Sequence, residues 1–107
     1  MEWDKRLRIG ASVKNSKRLK FQIMHRQVHP MVYLIVCDRT EDGRLSILPS
    51  TVLLQKQYPD EALYVAGMAG SKREAMEITG SLLEEAYREN KDYDVYRHRT
   101  GRGQMIC

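Results

Sequence analysis

The sequence predicts an α+β fold: a small single-layer mixed sheet of about four strands, helices packed mainly on one face, and a C-terminal half built as a βαβ unit. Three observations lead there. Two short apolar runs, 31–37 and 62–69, are bounded by turn residues in the manner of buried strands. The stretch 72–89 repeats apolar residues at helical spacing. An alternating segment, 93–97, follows it and would complete strand, helix and strand with a right-handed crossover.

The first thirty residues admit two readings. Leu7, Ile9, Ala11 and Val13 alternate with polar neighbours, and so do Leu19, Phe21 and Ile23, which describes two strands around Asn15, Ser16 and Lys17. Against this, Lys, Arg, Leu, Gln and Met dominate 17–27, and all are good helix formers. Asn15 or Ser16 would cap such a helix, and Pro30 lies beyond its end. The apolar stripe is imperfect: Leu19 and Ile23 share a face from which Phe21, Met24 and Val28 depart. A helix is preferred over 17–27, partly because an additional hairpin would create another edge to protect. Residues 1–14 are then an extended or flexible basic arm.

Further along, 31–37 reads as a central strand and 44–48 as its antiparallel partner, joined by a charged loop ending in Asp42 and Gly43. Pro49 and Ser50 open a short helix over 51–57, stopped before Pro59. In the long helix, Ala75, Ile78, Thr79, Leu82, Leu83 and Ala86 form the apolar stripe, widened by Met76 and Tyr87. Ser71 and Glu74 have capping-box spacing at its start, and Asn90 suits its end. Residues 98–107 read as a flexible basic tail.

At 107 residues the chain fits one domain, 1–107. Hydrophobic residues at 42% supply a core, and 30% charged residues argue against a membrane-embedded chain. The longest apolar run is seven residues, and the start has no apolar stretch to serve as a leader. Cys37 sits in an apolar strand and Cys107 at the last position, so the reading is a reducing, cytoplasmic setting without a disulfide framework.

The net charge of +4 conceals a division. Residues 1–30 hold eight bases against two acids, +6; residues 31–96 hold seven bases against twelve acids, −5; the last eleven residues add +3. Such flanks either answer the acidic body or meet an outside polyanion. The candidate polyanion-binding residues are Arg6, Arg8, Lys14, Lys17, Arg18, Lys20 and Arg26 in the head, with Arg97, Arg99 and Arg102 in the tail. No zinc-finger spacing, aromatic RNP sequence or helix-turn-helix pattern accompanies them, so base-specific readout has no support.

A second candidate is the turn between strand and long helix, where Gly67, Gly70, Ser71, Lys72 and Arg73 could offer amides to an anion at a helix N-terminus. It lacks both the Walker spacing and the three-glycine dinucleotide fingerprint, and a tight turn before a capping box explains the same residues. His25 and His29 have i, i+4 spacing without a third ligand, so no metal site is assigned. No catalytic constellation and no cofactor signature is present in the sequence.

The functional expectation is a non-enzymatic binding or assembly module whose basic flanks contact an acidic partner. DNA or RNA leads, and an acidic protein is the other candidate. A homo-oligomeric structural protein without nucleic-acid binding is the first alternative. A phosphate-ligand-binding enzyme using the 67–73 turn is the second.

Overall fold

The computed structural model describes residues 1–27, 30–38, 45–54 and 63–90 of the chain. Four strands form one mixed sheet: β1 (Glu2–Ile9), β2 (Tyr33–Asp38), β3 (Leu45–Pro49) and β4 (Leu63–Ala69), in the order β1-β4-β2-β3. Helix α1 (Ser16–Met24) follows β1, a 3-10 turn (Ser50–Leu54) follows β3, and α2 (Lys72–Asn90) follows β4. The expected α+β class and four-strand mixed sheet are those of the structure.

Strand β4 is central because all seven of its residues are apolar or small and all are buried. It runs antiparallel to β2, pairing Tyr33 with Ala69 and Asp38 with Leu63. Strand β2 also pairs antiparallel with β3, from Tyr33 opposite Pro49 to Cys37 opposite Leu45, which is the hairpin read from the sequence. On its other side β4 pairs in parallel with β1. The 93–97 strand expected to close the βαβ unit lies outside the described residues, as do the 39–44 loop and the 98–107 tail.

The helices do not share one face, and this corrects the expected packing. Leu34, Val36, Leu63, Val65 and Met68 meet Leu19 and Ile23 of α1 and Leu53 of the 3-10 turn. Ile35, Ala66 and Ala69 meet Ala75, Ile78, Leu82 and Ala86 of α2 on the opposite side. The cause lies in β2 and β4 themselves. Their uninterrupted apolar runs send hydrophobic side chains to both faces, and a strand apolar on both faces needs cover on both.

Two irregularities shape the centre. Ile35 pairs with Gly67 and Val36 with Val65, so β4 carries a bulge at Ala66. At Gly67 an added Cβ would lie 3.1 Å from the Arg8 carbonyl oxygen and 3.2 Å from side-chain carbons of Ile35 and Ile78, a close approach that favours glycine. Strand β1 departs from register between Trp3 and Arg8, and there the buried Asp4 accepts the Arg6 amide at 2.8 Å. This bulge disrupts regular pairing at a sheet edge that already carries charge.

Candidate cationic face and crevice

Strands β1 and β4 lie side by side and parallel, yet their following helices go to opposite faces of the sheet. The two connections therefore part at the carboxyl ends of these strands, and such a divergence leaves a crevice where ligands bind in open α/β sheets. Here a crevice of about 500 Å³ opens at that end. Lys14, Asn15 and Arg18 form its polar wall, Val13, Leu19 and Val32 its apolar one, and Gly70 borders it from the β4–α2 turn.

The two helix starts flanking this end differ in charge. At α2, the Glu74 amide donates to the Ser71 hydroxyl at 3.1 Å, as the capping spacing predicts. The Glu74 carboxylate, however, does not stay within a capping box. It accepts the Gly70 amide at 2.8 Å, the Ser12 hydroxyl at 2.6 Å and the Ser12 amide at 3.2 Å. The Ser12 hydroxyl first, then the Gly70 amide, hold this carboxyl below its ordinary range. A Cβ at Gly10 would collide with the Glu74 carboxylate, and one at Gly70 with the Ser12 hydroxyl, so the loop and turn fit closely against each other. The anion at the 70–73 turn is thus the protein's own.

At α1, Asn15 adopts a left-handed conformation (φ 55, ψ 47) and makes no side-chain cap hydrogen bond. The first turn contains no acidic residue. Lys14, Lys17 and Arg18 are all exposed around this uncompensated positive end, and none makes an ion pair among the described residues. The field there favours an anion from outside.

The remaining head cations have internal partners or separate locations. Arg8 reaches Glu85 through its guanidinium and donates to the Ser81 hydroxyl at 3.0 Å, so basic head and acidic helix do meet at this point. Lys20 sets its ammonium 5.4 Å from the centroid of the Trp3 ring, a cation–π contact between α1 and β1. Arg26 has a structural task. The bonds from the Arg26 amide to Ile23 and from the Gln27 amide to Gln22 close α1 in a Schellman arrangement that needs a left-handed residue, and Arg26 takes it at φ 52. Its guanidinium donates to the Leu53 carbonyl at 2.7 Å and anchors that conformation. Arg6 is exposed on β1. Lys72 and Arg73 are exposed in the first turn of α2. Arg97, Arg99 and Arg102 lie outside the described residues.

The sequence separates Phe21 and Met24 from the inner stripe of α1 but does not mark Phe21 as a binding residue. With Leu19 and Ile23 turned inward, Phe21 is 55% and Met24 53% exposed, on the same outward side as Lys17. The Phe21 ring packs against His25 with centroids 4.2 Å apart. The signal was available: these are the residues that spoiled the helical stripe.

Among the described residues no three His, Cys, Asp or Glu side chains gather as a metal site. No helix among them is long and apolar enough to cross a membrane. The fold and the crevice define a small α+β domain with a cationic rim at the carboxyl ends of its parallel strand pair. No protein-family model, curated protein or solved structure matches the chain.

Proposed function

We propose that the chain is a nucleic-acid-binding module that holds a single strand of DNA or RNA along α1. One observation carries this reading: Lys14, Lys17 and Arg18 surround a helix start that has no anion partner among the described residues, and an exposed phenylalanine stands on the outward side of the same helix with Lys17. Cations on a backbone track and an aromatic platform for bases are the two parts that single-strand recognition combines. The cations take phosphates and release counterions, which supplies affinity without sequence preference. Phe21 offers a ring for one unstacked base, a contact worth about 1–3 kcal/mol where measured by truncation.

The phosphate-ligand enzyme reading has less support, because Glu74 already occupies the amide that the 67–73 turn would present. A carboxylate at that point also repels a second anion.

The test is fluorescence anisotropy of labelled single-stranded oligonucleotides across a salt series. Three phosphate contacts predict a log–log slope near −2, at about −0.7 per contact on a single strand. Replacing Lys14, Lys17 and Arg18 together with Gln should remove most of that slope. Phe21→Ala should weaken binding by about tenfold while leaving the slope unchanged. Absence of binding at low salt, or binding indifferent to both variants, rejects the reading.

A further inference from the structure

Helix α2 carries a second stripe beside its core face, meeting the core at Leu83 and open to solvent at Met76 and Tyr87. Met76, Gly80, Leu83 and Tyr87 recur at intervals of four, three and four residues, which keeps them on one side of a helix. Met76 is 59% and Tyr87 49% exposed. Gly80 is exposed between them, and Leu83 is half-buried. Gly80 is the informative member. A glycine inside a helix costs about 1 kcal/mol relative to alanine. A Cβ built at Gly80 meets nothing within 4 Å, so no packing inside the described molecule calls for its absence. The gap does let a large side chain from outside approach the backbone.

We propose that this stripe is a self-association surface on which α2 of a second copy packs antiparallel. The spacing fixes the register. A two-fold axis placed midway between Ser81 and Leu82 sets Met76 against Tyr87 of the second copy, and Gly80 against Leu83 of the second copy. Leucine then fills the glycine gap in two layers, and a thioether meets an aromatic ring in the other two. The charges agree with the same axis. Arg88 of each copy falls two helix positions, about 3 Å along the axis, from the level of Glu77 of the other. Arg88 already holds Glu84 of its own helix at 2.7 Å, so its guanidinium bridges carboxylates of both copies. A parallel pairing would instead set Gly80 against Gly80 and Glu77 against Glu77, leaving a void and a repulsion. Four layers span about 17 Å of helix and bury less than the roughly 1,200 Å² of standard stable interfaces. The dimer is therefore weak, with a dissociation constant on the order of 10 μM.

Sedimentation equilibrium of the full chain from about 1 to about 200 μM brackets that constant and should show a monomer–dimer equilibrium. Gly80→Leu should weaken association at least about tenfold by filling the gap, while far-ultraviolet circular dichroism shows helicity retained or increased. Met76→Glu provides a second variant with the same expected loss. Glu77→Arg and Arg88→Glu should each weaken self-association, and an equimolar mixture of the two should recover it as a heterodimer. A wild-type chain that stays monomeric at the highest concentration overturns the proposal. So does a dimer that both Gly80→Leu and Met76→Glu leave intact, or a mixture of the charge variants that gains nothing.

Discussion

Glu74, in the first turn of α2, accepts the Ser12 hydroxyl at 2.6 Å, tying the loop after β1 to the helix that follows the neighbouring strand β4. That bond and the Gly70 amide favour the ionised carboxyl, whose pKa lies below its ordinary range. A depressed carboxyl pKa adds stability above its unfolded value, and that stability is lost as pH falls through the folded value. Glu74→Gln should therefore lower Tm at pH 7. The gap between the two proteins should narrow on acidification below about pH 4.3, the ordinary glutamate value. Thermal melts from about pH 3 to about pH 7 cover both sides of that value. Tm curves that stay parallel throughout would rule out this role for Glu74.

Arg8 is the head cation whose charge is answered by the acidic helix, through Glu85. Both side chains are about one-third exposed, so solvent screens the pair, and a coupling energy of about 0.5–1 kcal/mol is the expected scale. A double-mutant cycle with Arg8→Ala and Glu85→Ala, followed by urea denaturation, measures it. Arg8→Ala should leave oligonucleotide affinity within about twofold, unlike the variants at the start of α1. A loss as large as theirs would place Arg8 in the binding face instead.

Ser50 is fully buried and closes a reciprocal pair with Val32: its amide donates to the Val32 carbonyl at 2.8 Å, and its hydroxyl accepts the Val32 amide at 3.0 Å. Ser50→Ala leaves a buried amide without its acceptor, which costs about 1–3 kcal/mol. Ser50→Thr keeps the oxygen and should lose less if the added methyl is accommodated. An alanine variant as stable as wild type in a denaturant titration would show that the Val32 amide finds another partner.

The strands and the long helix were legible because their signals are local. Residues 72–89 repeat at 3.6, and Leu63–Ala69 is apolar throughout, so neither needs distant context to be read. Even the two-faced cover was written in β2, where Leu34 and Val36 alternate with Ile35 and all three are buried. Expecting the helices mainly on one face overlooked that both sides of this strand require a partner. The head was harder. Residues 2–9 are a strand because β4, encoded some sixty residues later, pairs with them; Leu7 and Ile9 do alternate with polar neighbours, but residues 2–6 carry no such pattern and read as part of a basic arm instead. Within the candidate site, Lys14, Lys17 and Arg18 were visible as charges, but their common lack of an anion partner among the described residues was not. That depends on Glu74 turning to Ser12 and on Arg8 finding Glu85, both long-range events.

The parallel pairing of β1 with β4 also orders events during synthesis. Glu2 pairs with Tyr64 and Ile9 with Met68, so β1 has no pairing partner until β4, some sixty residues further along the chain, has also been made. Until then its charges and its Trp3 ring are exposed to the cell without the sheet. Closing so long a loop is also entropically slow compared with forming the adjacent β2–β3 hairpin. Among the described strands, β1 therefore joins the sheet later than the β2–β3 hairpin closes, although it precedes both in the chain.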